Sequence, residues 1–127
     1  MNAGLSFLAP PPGLEPHTRF ALREIAGASG LYALQASDDA AIRMFVLDAA
    51  VYLPEYAPTL SDEQCEALDV RSPEEVLLLV VATTDDSGTT VNLMAPVVVN
   101  TGTGVAAQLI LESDDWPLRH TLTSRTA

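Results

Sequence analysis

A chain of 127 residues with 48% hydrophobic side chains is one domain's length and carries enough apolar material for a core. Its 17 acids face 6 bases, all arginine, for a net charge of −11; without lysine there is no Schiff-base chemistry and no Gly-Lys-Ser/Thr phosphate loop, and the charge sign opposes direct capture of a nucleic-acid backbone. The single cysteine, Cys65, closes no internal disulfide, and the longest strongly apolar run, Val76 to Ala82, falls far short of the about 20 residues of a membrane-crossing helix.

Residues 1–13 lack the basic start and long apolar stretch of a secretory signal, so the chain reads as soluble and cytoplasmic. Ala9 to Gly13, with three prolines, reads as an extended loop. Arg19 to Ile25 alternates imperfectly and predicts a strand, and Gly27 to Gly30 a turn. Leu31 to Gln35 and Met44 to Asp48 predict two more strands, with Ser37 to Asp39 near the turn between them; Ala40 and Ala41 offer the start of a short helical turn. Ser61 to Val70 predicts the best helix, with Ser61 as cap and Gln64 completing a capping box. Pro73 to Glu75 predicts one further turn.

Beyond that point the pattern is β. Val76 to Ala82 is continuous apolar and rich in β-branched residues, which favours a strand over a short core helix. Asp85 to Gly88 has hairpin-turn chemistry, and Thr89 to Met94 returns as the next strand. Pro96 lacks a ladder donor and marks a bulge, a strand start or an edge. Val97 to Val99, a turn over Asn100 to Gly104, and Val105 to Leu111 complete the last hairpin, which Glu112 to Asp115 ends. The fold class is mainly β: a small antiparallel β-barrel-like or sandwich domain with one or two short helices. One domain is expected over 1–127, with its core at about 5–122 and a short flexible C-terminal tail.

Four motifs invite chemical readings. Gly102 to Ala107 has the form G-x-G-x-x-A, but too little chain follows for a dinucleotide domain, and a hairpin turn explains it. Gly27 to Gly30 is one residue short of a nucleophile elbow, and the only histidines, His17 and His120, lie near the chain ends. The pairs Asp38–Asp39, Asp85–Asp86 and Asp114–Asp115 fall in turns, where aspartate bonds its own backbone. Cys65 has no zinc spacing and packs as a small hydrophobe with Leu68. The helix is more telling. Asp62, Glu66 and Asp69 stack at i, i+4 and i+7, with Glu63 beside them. The helix dipole favours Asp62 and Glu63 but not Glu66 or Asp69. They form either a solvated acidic face or a surface for a basic partner; salt adaptation is a competing origin of the acidity.

Three stretches together resemble the flagellar assembly factor family FliW. They are Val51-Tyr-Leu-Pro-Glu-Tyr56 followed by Leu60-Ser-Asp-Glu63; Thr90-Val-Asn-Leu-Met-Ala-Pro-Val-Val-Val-Asn100; and Gln108-Leu-Ile-Leu111 with Trp116-Pro-Leu-Arg-His120. The resemblance spans roughly residues 5–122. It implies a small antiparallel β-barrel-like domain and a non-enzymatic role. Members of that family bind flagellin in the cytoplasm and bind CsrA, an RNA-binding translational repressor, so that flagellin level sets flagellin translation. The resemblance thus implies flagellin and CsrA as partners, with no cofactor, metal or catalytic residue, no direct nucleic acid and no membrane, and a monomer. Partner-binding candidates are Glu55, Tyr56, Asp62, Glu63, Glu66 and Asp69. Asn92 and Asn100 are read as structural, satisfying backbone groups at turns or bulges; Pro96 and Arg119 are also structural, with Arg119 pairing to Asp114 or Asp115. The rivals are a small acid-site hydrolase or isomerase and a generic protein-interaction module. The first needs a deep polar pocket with convergent titratable groups; a binding module shows an apolar patch rimmed by acids.

Overall fold

A computed structural model describes residues 2–11, 14–58, 60–86, 88–111, 116 and 119–121. Alternation decides which side of each strand faces in. In β3 (Leu31–Ala36), Tyr32, Leu34 and Ala36 are buried while their neighbours are only half-buried. Inward residues likewise alternate in β1 (Asn2–Phe7), β2 (Arg19–Glu24), β4 (Arg43–Asp48), β5 (Val76–Asp85), β6 (Gly88–Asn100) and β7 (Val105–Gln108), but in the last four the outward neighbours Leu47, Val80, Val98 and Ala107 are buried too, in clusters outside the barrel. The strand order is β5-β4-β3-β2-β1-β7-β6, and β5 also pairs with β6, which closes seven strands into a barrel. A two-residue strand β8 (His120–Thr121) adds to β6. Every pair is antiparallel except β1 with β7. Closure removes the unpaired edges that an open sheet of this composition would expose.

The barrel interior is filled by Phe7, Phe20, Leu22, Leu34, Val46 and Leu79 among others. Phe7 and Phe20 meet edge to face, with ring centroids 5.2 Å apart. Each such side chain contributes about 1.5–3 kcal/mol by burial. Two smaller clusters lie outside the barrel. One gathers Leu47, Val80, Val91 and Leu93 with Ala49 and Tyr56; helix α1 (Ala49–Tyr52) belongs to it. The other joins Val98 and Ala107 to Leu68, at the end of helix α2 (Asp62–Ala67).

Local chemistry sets the helix limits. Asp48 caps α1 by accepting from the Ala50 N–H at 3.0 Å. Ser61 and Gln64 make the expected capping box: Ser61 Oγ accepts from Gln64 N at 3.1 Å, and Gln64 Oε1 accepts from Ser61 N at 2.9 Å. The helix is shorter than the expected Ser61 to Val70. It stops at Ala67 because Asp69 turns left-handed, at φ 54°. Asp69 N then donates to Glu66 O and Val70 N to Cys65 O, the paired bonds of a Schellman stop. Asp69 is therefore off the helix, and the i+7 stacking expected for it does not occur. Pro73–Glu75 forms the expected extra turn, as a 3-10 helix.

The expected strands Thr89 to Met94 and Val97 to Val99 are one strand, β6, bent at a bulge. Its ladder with β5 steps from Leu79↔Val97 to Val81↔Asn92. Pro96 sits in the extra residues, where its missing donor costs nothing. Asn92 Oδ1 accepts from Met94 N at 3.0 Å and Ala95 N at 3.1 Å, which satisfies two backbone donors in the bulge. The strand expected over Val105 to Leu111 ends at Gln108; Leu109 N and Leu111 N still donate to the Pro96 and Met94 carbonyls across the bulge. Ala40 and Ala41 lie in the β3–β4 turn and form no helix. β1, α1 and β8 have no counterpart among the expected elements. The turn at 112–115, the acids offered to Arg119 and the tail at 122–127 lie outside the described residues.

Candidate protein-binding groove

Strand β4 accompanies β5 only from Phe45↔Ala82 to Asp48↔Leu79; there the chain leaves the sheet as α1. The first residues of β5 therefore have β4 on neither side, and a groove of about 620 Å³ opens beside them. Its floor is Val76 and Leu78, the outward residues of a strand whose Leu77 and Leu79 face the barrel interior. One wall is α2, through Asp62 and Cys65, continued by Val70 after the Schellman stop. Pro58, Leu60, Arg71 and Ser72 complete the lining.

The walls are held by side chains doing backbone work. Glu75 Oε1 accepts from Arg71 N at 3.0 Å and Ser72 N at 3.1 Å. Asn100, only 2% exposed, donates through Nδ2 to the Leu68 and Asp69 carbonyls at 2.9 and 3.1 Å. Its Oδ1 accepts from Gly102 N at 2.9 Å. One buried amide thus ties the C-terminal end of α2 to the β6–β7 turn.

The rim is acidic. Asp62, Glu63 and Glu66 are exposed on α2, and Asp69 is exposed just beyond it. Arg71 reaches Asp69 at 3.6 Å, so the groove's cation already faces a carboxylate. On the other flank of α2, Ile110 is 66% exposed, and its carbonyl accepts from Gln64 Nε2 at 3.4 Å. The groove thus has an apolar floor beside an acidic helix. The groove's titratable groups, Asp62, Cys65 and Arg71, include no pair of acids. Among the described residues, no three His, Cys, Asp or Glu side chains are placed to hold a metal.

Of the six candidate residues, Asp62 lines the groove; Glu63 and Glu66 are exposed elsewhere on α2, and Asp69 is exposed just beyond its end. Glu55 is exposed in the turn after α1, apart from the groove lining. Tyr56 is in the core rather than on the surface. Its ring meets Trp116 edge to face, with centroids 4.7 Å apart, and its O–H donates to the Leu93 carbonyl. A phenol suits this place because its body is apolar and its one donor finds an acceptor. Burial pushes its pKa up. Arg119 is exposed, and the acids expected to pair with it are not among the described residues. The groove floor escaped the sequence reading: in a continuous apolar run, nothing marks Val76 and Leu78 as outward.

The family model for the FliW protein matches residues 2–122. The flagellar assembly factor FliW of Treponema pallidum (strain Nichols) is 30% identical over 117 residues, covering 91% of this chain and 77% of the relative. The protein of the same name from Syntrophus aciditrophicus (strain SB) is 32% identical over 110 residues, covering 85% and 70%. A solved crystal structure of the flagellar assembly factor FliW superposes with a TM-score of 0.87 at 26% identity, covering 98% of this chain and 88% of that one.

Proposed function

The chain belongs to the FliW family of flagellar assembly factors, and from that premise we propose that it is a cytoplasmic flagellin-binding chaperone that also binds and antagonises CsrA. Flagellin held by this protein leaves CsrA free to silence flagellin message; when flagellin is exported, the protein takes CsrA and translation resumes. The observation that carries this reading is the apolar groove walled by the acidic helix α2. It offers burial for affinity and negative charge for a basic partner. The barrel beneath is closed and its interior filled, so recognition falls to outer surfaces such as this one.

The protein's work here is binding without a chemical step, so its output is a change in what its partners do. Taking CsrA away from RNA requires only that the complex be tighter than CsrA's grip on message at cellular concentrations. The test is capture from the native cytoplasm on immobilised protein, with purified flagellin and CsrA as direct checks. Recovery of both, each confirmed with purified protein, is the expected result. Recovery of neither removes the partner-switch role.

A further inference from the structure

We propose that the outer face of β2–β4 docks helix α2 of a second copy of this chain, head to tail. In these strands Phe20, Leu22, Tyr32, Leu34 and Val46 face the barrel interior, so their sequence neighbours point outward. Arg19, Ala21 and Arg23 are outward on β2, and Arg43 and Phe45 on β4. Three of the chain's six bases thus share one face, and no outward position of β2, β3 or β4 is an acid. All three arginines are exposed, and among the described residues none makes an ion pair. The acids at the borders are engaged locally. Glu24 accepts from Gly30 N at 3.2 Å, Asp38 meets His17 at 2.9 Å, and Asp48 caps α1.

Register sets the spacing. Arg19 and Arg23, four residues apart on one strand, stand about 13 Å apart. Ala21 pairs with Gln35 and Gln35 with Arg43, so Arg43 stands level with Ala21, two strands or about 10 Å away. Ala21 and Gln35 lie between the arginines, and Ala33 separates Arg23 from Phe45. The two alanines make a low floor among long side chains. Phe45 is 42% exposed, and the Arg43 guanidinium stands 5.8 Å from its ring centroid, a cation–π contact that leaves the charge available.

A low floor ringed by three cations suits a compact anionic element, and the chain carries one. Helix α2, six residues and about 9 Å long, exposes Asp62, Glu63 and Glu66. Three carboxylates answer three guanidiniums. The end of α2 packs through Leu68 on Val98 and Ala107, at the seam of β6 and β7. In the closed strand order β3 is three strands from that seam in either direction. The helix and the arginine face therefore lie on opposite sides of the barrel and meet only between copies. A six-residue helix covers less than the about 800 Å² per partner of a standard interface. The association is accordingly weak and reversible, and the monomer implied by the resemblance prevails in dilute protein.

Sedimentation equilibrium at up to about 1 mM protein tests this. Two copies of charge −11 repel over a Debye length of roughly 30 Å at 0.01 M salt. At 0.15 M the length falls to about 8 Å, which screens the net repulsion and spares contact pairs; at 1 M, about 3 Å, the pairs weaken too. The weight-average mass should therefore exceed the monomer's and peak at intermediate salt. Arg19→Glu/Arg23→Glu and Asp62→Lys/Glu66→Lys, checked by circular dichroism and melting, should each lose at least about tenfold in association constant. An equal mixture of the two should regain it, because each supplies the face the other lacks. Net charge alone would instead make the lysine variant, the less charged one, associate more. Should the glutamates disturb the sheet, Arg19→Gln/Arg23→Gln removes the charge without reversing it. Wild-type protein that stays monomeric at every salt concentration overturns the proposal, as does an arginine variant that associates like wild type. Loss in the arginine variant alone, or a mixture that regains nothing, overturns α2 as the occupant.

Discussion

The Tyr56 phenol couples stability to pH. Its folded pKa is raised by burial, whereas an unfolded tyrosine titrates near about 10. The charged form is disfavoured only in the fold, so the unfolded state loses its proton first. The stability this contributes is fully present below pH 10 and is lost as pH rises beyond it. Tyr32, also raised, chiefly by burial and then by the charges of Glu24 and Asp48, adds in the same direction. Tyr56→Phe should flatten part of this alkaline loss in urea unfolding between about pH 8 and 11. At neutral pH it should cost about 1–3 kcal/mol, because the Leu93 carbonyl loses its donor. An unchanged alkaline slope would mean that other groups carry it. Asp69 offers the opposite case. Its left-handed φ of 54° is one that glycine adopts freely. Its ion pair with Arg71 joins two exposed side chains and contributes little. Asp69→Gly should therefore raise stability by up to about 1 kcal/mol, measured as a higher unfolding midpoint. A lower midpoint would show that the left-handed turn is not under strain.

At the scale of elements, what was legible depended on whether the signal was local. The capping box of α2 is written in Ser61 and Gln64, three residues apart, and it formed as read. The hairpin over Asp85–Gly88 follows from turn chemistry between apolar runs. The end of α2 was not legible, since it depends on Asn100, distant in sequence, holding the Leu68 and Asp69 carbonyls. Nor were β1, which pairs with β2 across the proline-rich loop and with the distant β7, and β8, two residues long and paired with β6. Helix α1, four residues long, is too short to show a period, and Asp48 is its one local sign. Tyr56 was misplaced for the same reason: its contacts with Leu93 and Trp116 are tertiary. These links are testable through Asn100→Asp. The variant turns a donor toward two carbonyls into an acceptor facing them, and it should cost at least about 2 kcal/mol. Hydrogen exchange should quicken first at the α2 amides. A second element-level test removes the like-charge strain of Glu66 with Glu66→Gln. Stability should stay level or rise by a few tenths of a kcal/mol while CsrA affinity falls. If affinity holds, the acidic face of α2 is merely solvated.

For the whole molecule, the net charge of −11 and the area available decide how the two proposed partners would share it. Attraction to a basic protein is screened beyond about 8 Å at physiological salt, so the association rate with CsrA should fall as salt rises. A rate that does not move would assign the interface to apolar contact and the acidity to solubility. Competition is a separate matter. The described surface is 7532 Å², and a standard interface takes about 800 Å² from each partner. Area alone thus permits flagellin and CsrA to sit on this barrel together. Exclusion has to come from overlapping faces or from two conformations that favour different partners. In either case linkage requires reciprocity: flagellin must weaken CsrA binding by the factor with which CsrA weakens flagellin binding. A switch that changes translation needs at least about tenfold, or 1.4 kcal/mol. The measurement is CsrA affinity with and without saturating flagellin, then the reverse titration. Equal factors of tenfold or more support the switch. A ternary complex with both affinities unchanged would leave two independent binding sites on one barrel and no switch.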